Sequence, residues 1–328
     1  MSDSIHPQRD DQPIDARPGD GPTHYVIRGF GYRAEVSEVG AAVRALVYDD
    51  PSGPYPLAGS GPDPEHALRY AGAVLAPWPG GVRDGHFFFD GIEHQLTVTD
   101  PDRGAAVHGF VWNRKWNLVS HTAARVEQVI EIGLQTGWPY RLLLTATHEL
   151  GEYGLVASYT ATNIGDYHAP FGLGVHPYLY AGYTPLDDCT LRLAAGTRVP
   201  IDRQRGLPTA YSQPVVGTDF DFTEPRPMDG VRLAVPFSAL DEDADEVIRH
   251  RLCGPDGRGV ELRTVPEFGW LYATTETGRA DGGPERSLAL IPATCPPDAF
   301  NLGIDVLVLQ PGEVWDASWG LGVVGFSV

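Results

Sequence analysis

Residues 151–180, GEYGLVASYTATNIGDYHAPFGLGVHPYLY, decide the fold. The first half alternates small, β-branched and aromatic side chains at the period of a strand. Asn163-Ile164-Gly165-Asp166 supplies turn chemistry, because Asn, Gly and Asp tolerate left-handed backbone. A second apolar run, Ala169 to Val175, leads directly into His176-Pro177-Tyr178. Proline fixes its own φ and drives the residue before it into extended backbone. His176 is therefore expected at a strand end that cannot relax into helix. An imidazole held there can exchange a proton near neutral pH. Most lone histidines are structural, so the reading of His176 depends on its neighbours.

Outward from this stretch, composition points the same way. The chain has 328 residues with 39 glycines and 29 prolines spread along it. That pattern suits many short strands joined by turns, in one large β domain. No heptads, fixed-period repeat or long apolar run appears, so no membrane span is expected. The polar N-terminus lacks the apolar core of a signal peptide, which predicts a cytoplasmic protein. Residues 1–22 read as a disordered leader and residues 23–328 as a single domain. A net charge of -19 argues against nucleic acid or an anionic membrane as partner. Cys189, Cys253 and Cys295 are far apart, with no metal-ligand spacing, and read as reduced buried thiols.

Along the chain, alternation from Thr23 to Tyr48 predicts opening antiparallel strands, and Asp49 to Glu65 reads as a turn-rich connection. The small-residue run Tyr70 to Pro79 is followed by Gly80-Gly81-Val82-Arg83-Asp84-Gly85, a loop that lets backbone approach a ligand or a strand. His86 to Leu96 predicts a hairpin with Asp90-Gly91 as a type I′ turn. His108 sits beside Gly109 after another loop. Further strands are expected at 116–150, 189–199 and 260–274. Residues 287–291, 306–309 and 315–328 are expected to close the sheet. No phosphate-binding loop, GxSxG, HExxH or EF-hand pattern is present, so no cofactor is implied. No carboxylate stands at ligand spacing to either His108 or His176, so no metal is expected.

Several motifs together carry a resemblance. They are LAPWP at Leu75 to Pro79, VHG at Val107 to Gly109, GWPYRL from Gly137, and TATNIGD from Thr160. FGLGVHPYL from Phe171 and TCPPDAFN from Thr294 complete the set. From about Thr23 to the C-terminus the chain resembles the aldose 1-epimerase (galactose mutarotase) family. The resemblance implies an all-β fold, a large antiparallel β-sandwich of the galactose mutarotase-like superfold, with a ligand cleft across one sheet. It implies a reaction in which a histidine protonates the ring oxygen of a sugar while a glutamate removes the anomeric hydroxyl proton. His176 falls on the acid position and His108 on the assisting one.

Three other positions depart from that pattern. The family's binding arginine falls on Gly81, with Arg83 two residues on. Its general base falls on Ile291 in Ile291-Pro292-Ala293-Thr294-Cys295. Aligning on Phe237 puts Ala234 where a binding aspartate is expected. Trp78 and Phe300 are candidates to pave the cleft, with a core role equally open. An isoleucine cannot accept a proton, and loss of general-base catalysis is worth about 10²–10⁴ in rate. Three functions follow. One is an isomerase of the aldose 1-epimerase kind on a sugar-like hemiacetal, with an altered, less polar site. Another is an acid–base enzyme turned to a non-sugar metabolite through the His108/His176 pair. The third is a carbohydrate-binding protein without turnover. Each implies a small-molecule partner, and a homo-oligomer is compatible with all three.

Overall fold

The computed structural model describes residues 22–60, 68–277 and 286–326. All but Pro22 of the expected leader lies outside the described residues. Two antiparallel sheets carry the fold. The larger has twelve strands, and its main path runs 24–29, 32–37, 43–50, 53–59, 178–179, 286–293, 270–277, 234–240, 195–198 and 213–214. The short strands Val74–Leu75 and Gly174–Val175 join it beside Arg286–Ala293. The second sheet has nine strands in the order 117–121, 125–132, 142–151, 154–163, 314–324, 259–264, 248–253, 190–192 and 226–227.

Period-two patterning sets which faces meet. Along Leu142–Gly151 buried and partly exposed residues alternate, and Leu142, Leu144, Ala146, His148 and Leu150 point inward. Leu155, Ala157, Tyr159 and Ala161 do the same on the next strand, in register with them. Apart from His148, these residues share one apolar cluster with Ile27, Ala34, Val36 and Leu46 of the larger sheet. The two inner faces therefore form a sandwich core, as the alternation predicts.

Residues 151–180 cross from one sheet to the other. Gly154–Asn163 belongs to the nine-stranded sheet, while Gly174–Val175 and Tyr178–Leu179 lie in the larger one. The expected hairpin is present as His86–Phe89 and Ile92–Gln95, with positive φ at both Asp90 and Gly91. Two expectations need correction. The connection 49–65 contains a strand, Gly53–Gly59, whose Pro56 sits beside a break in register between Leu46 and Val47. Bulged pairing is where a sheet tolerates proline. The strand Val314–Val324 is interior and closes no edge, because it pairs with Gly154–Asn163 on one side and Gly259–Thr264 on the other. Of the three thiols, Cys253 is only partly buried, and all are free.

His148 and His250 are fully buried in the nine-stranded sheet. Neither ring nitrogen of His148 has a partner, and Nδ1 of His250 accepts the Ala194 N–H at 3.1 Å. Burial pushes His148 down to about 4, and burial with the Arg192 charge pushes His250 to about 3, from an ordinary 6.5. Below pH 6.5 the unfolded chain takes up protons that the fold refuses, so stability falls with pH until the folded values are reached. Each histidine is expected to give a slope of about 1.4 kcal/mol per pH unit. Denaturant unfolding at stepped pH checks this, and a free energy independent of pH from 6.5 to 4 would contradict it.

Candidate active site

Pro177 interrupts the strand that carries His176. It has no N–H to give a ladder, and pairing stops at Val175 and resumes at Tyr178. Other backbone fills the gap. His176 N–H donates to Ala73 O at 3.1 Å, its carbonyl accepts the Gly72 N–H at 2.8 Å, and Pro177 O accepts the Leu290 N–H at 3.3 Å. The ring of His176 is buried, and Nδ1 has no hydrogen-bond partner among the described residues.

His108 is held by a different device. Gly81–Arg83 pairs with Ala105–Val107, and the chain then turns through left-handed backbone at both His108 and Gly109. A Cβ on Gly109 would lie 1.9 Å from the Ala76 carbonyl oxygen, so the turn demands glycine. His108 N–H donates to Gly80 O at 2.8 Å, and Gly80 N–H donates back to Nδ1 at 3.1 Å. Nδ1 is thus the acceptor, which puts the proton of the neutral ring on Nε2. The two imidazoles stand with centroids 6.3 Å apart and planes at 88°. Tyr70 packs edge-on against His108 at 4.4 Å and lies 5.9 Å from His176.

Both histidines line one solvent-open cleft of about 110 Å³. Gly81 and Ile291 line it too, as the alignment implies. The other expected binding residues lie elsewhere. Trp78 and Phe300 are buried in an aromatic cluster with Phe87, Phe110 and Trp138, and neither lines the cleft. Arg83 turns to Asp298, which accepts its N–H at 2.9 Å and its Nε–H at 3.1 Å. Ala234 pairs with Thr274 outside the lining, and Pro236 of the same strand takes the place expected for it. Asp84 and Glu93 are solvent-facing, paired with Arg205 and His86.

Alternation along Trp270–Thr277 supplies cleft residues that the motifs did not show. Trp270, Tyr272, Thr274 and Glu276 line the cleft, while Leu271 and Ala273 are buried in the core. The indole of Trp270 donates to Asp305 at 2.7 Å, which fixes that wall. Arg69, Arg103 and Arg205 also line the cleft. Their signal in the sequence was only their residue type, since each sits in a loop without periodicity.

Electrostatics favours uncharged rings. Burial pushes His176 down to about 4. Burial, then the neighbouring His176, then Arg103 and Arg69, hold His108 well below the ordinary histidine range. Among the described residues no group of three His, Cys, Asp or Glu side chains is placed to hold a metal ion. No helix among them is long and apolar enough to cross a membrane.

The sequence model for aldose 1-epimerase matches residues 23–321. The chain belongs to the aldose 1-epimerase family. It is 28% identical over 283 residues to protein YihR of Escherichia coli strain K12, covering 86% of this chain and 87% of that one. The aldose epimerase homologue from C. elegans shares the fold with a TM-score of 0.80 at 17% identity, over 93% of this chain and 99% of its own. Galactose 1-epimerase from Lactobacillus acidophilus NCFM does so with a TM-score of 0.75 at 19% identity, over 95% and 97%. The epimerase motifs of this chain now have a structural account. Thr294 of TCPPDAFN bonds Leu173 of FGLG through N–H to O at 2.8 Å, and its hydroxyl accepts the Leu173 N–H at 2.9 Å. Asp298 of the same motif also accepts from the Asn301 amide at 2.8 Å.

Asp298 is buried, so removing its carboxylate strands the Arg83 N–H and guanidinium together. Asp298→Ala is expected to lose about 2–4 kcal/mol of stability, an unfolding measurement, with Arg83's half-exposed side chain keeping the loss toward the lower end.

Proposed function

We propose that this protein is an aldose 1-epimerase that interconverts the anomers of a sugar-like cyclic hemiacetal, with His176 as its one proton carrier. The observation that carries this is the orientation of two neutral imidazoles into a common cleft whose base position is Ile291. Anomer exchange moves one proton from the anomeric hydroxyl to the ring oxygen, both bonded to one carbon. A single imidazole between them suffices. Nε2 of His176 takes the hydroxyl proton as the bond from the anomeric carbon to the ring oxygen breaks. The same proton then passes to the ring oxygen, giving the open-chain aldehyde and a neutral imidazole again. Rotation of the aldehyde and the reverse steps close the ring on its other face. His108 Nε2–H, fixed by the Gly80 bond to Nδ1, donates to a substrate oxygen and polarises it.

Glu276 does not replace the missing glutamate. On Trp270–Thr277 it pairs with Ser287, whereas Tyr272 pairs with Ile291. Four residues of strand separate the two places by about 13 Å. Its carboxylate lies beside the Tyr178 hydroxyl, whose proton burial and Glu276 together hold more tightly. With one proton carrier in place of a matched acid and base, exchange of neutral glucose or galactose is expected to be slow for this family. The reading of a cleft remade for an apolar ligand is weakened by the three arginines and Glu276 in its lining. Tyr70, Trp270 and Tyr272 supply faces for sugar C–H groups.

The carrier must be neutral to begin. Its activity is therefore expected to rise with pH through about 4 and stay flat to neutrality. Saturation-transfer NMR between anomers, corrected for the solvent rate, reads this directly. His176→Gln is expected to lose a factor of about 10²–10⁴. The acid limb should keep its midpoint in Glu276→Gln. Activity that needs a protonated group and falls as pH rises through about 4, or a full rate in His176→Gln, would overturn the assignment.

A further inference from the structure

The arginines at the cleft are arranged as a unit. Arg103 lies in the turn 101–104 and Arg205 in the turn 202–206, and the two turns interlock. Arg205 Nε donates to Arg103 O at 3.0 Å, and its Nη2 donates to Gly104 O at 2.8 Å and to Asp84 at 2.6 Å. Arg69 stacks over Tyr70, its Cζ 4.8 Å from the ring centroid. Asp100, nearly buried, stands 3.7 Å from Arg69 Nη1 and 3.7 Å from Arg103 Nε. It offsets their charge without occupying their N–H groups. Among the described residues, neither guanidinium donates a hydrogen bond. Neither Asp84 nor Asp100 lines the cleft, and among the described residues Glu276 is the one carboxylate in its lining.

The cleft thus gathers three guanidiniums in a protein whose net charge is -19. Guanidinium groups only donate, in a planar fork that matches the oxygens of a carboxylate or phosphate. A neutral sugar offers hydroxyls that need acceptors as much as donors, whereas an oxyanion only accepts and matches the N–H groups of Arg69 and Arg103. We infer that the substrate is an anionic sugar, with a carboxylate or phosphate remote from the anomeric carbon held by Arg103 and Arg205. This rests on the isomerase reading, and it names the substrate class of that same site. His176 meets the anomeric centre while the arginine turns take the far end, which makes the oxyanion the handle that orients the ring.

The test measures anomer exchange by saturation transfer with glucose, glucuronate and glucose 6-phosphate as probes. At least one anionic sugar should exceed glucose in kcat/KM by about tenfold or more, the size of a charge-assisted contact. Which one does so separates carboxylate from phosphate. Arg103→Gln should reduce that preference at least tenfold at unchanged melting temperature. Arg103 is chosen because its side chain is half exposed, whereas Arg205 ties two turns together. Equal rates for all three sugars, or a preference unmoved by Arg103→Gln, would overturn the inference. If no sugar exchanges faster than in buffer, the isomerase reading fails, and calorimetric binding of the same probes decides the subsite. Binding of an anionic sugar that Arg103→Gln weakens tenfold keeps it. No binding at millimolar concentration removes it.

Discussion

A proline inside a large sheet controls this molecule. Pro177 cannot donate to a ladder, so the strand that carries His176 is cut into two pairs of residues, 174–175 and 178–179. A gap of that kind exposes backbone groups that must be paired elsewhere. The loop at Gly72 and Ala73 supplies the partners, and in doing so it brings Tyr70 against both histidines. Strand break, filled gap and cleft wall are one construction.

The second constraint is desolvation. A ring enclosed by strands and aromatic side chains loses the water that would stabilise its charge. Both His176 and His108 are accordingly held in the neutral form at physiological pH. The fixed charges sit farther out, on loops, where solvent shares their cost. Arg69 and Arg103 are half exposed or more, and Arg205 is about a third exposed. The cleft thus sets two uncharged imidazoles within and cations at its rim.

Much of the motif content turns out to support the site from behind. Trp78 of APWP and Phe300 of TCPPDAFN join one buried aromatic cluster and stay out of the cleft lining. Asp298 fastens Arg83, whose strand pairs with the one leading into His108. Side chains that a motif singles out can be conspicuous because they hold the frame. Arg83 shows the point: a basic residue two positions from an expected binding arginine gives its backbone N–H and its Nε–H to a buried carboxylate.

The sequence by itself determined the all-β class, the central strand at 154–163, the Asp90-Gly91 hairpin and the placing of His176 at a strand end. These are local properties: period-two burial, turn residues that accept positive φ, and proline's effect on its predecessor. Its resemblance to the aldose 1-epimerase family also pointed to Gly81 and Ile291 as cleft positions. Only the tertiary structure decided that 314–324 is an interior strand, since its two partners are about 60 and 160 residues away and pairing at that distance leaves no local mark. Only the tertiary structure brought Arg69, Arg103 and Arg205 to one rim, because loop side chains carry no period and their meeting place is set by how separate turns interlock. The chemistry of the cleft was legible where backbone rules fix it, and hidden where it depends on which loops come to lie side by side.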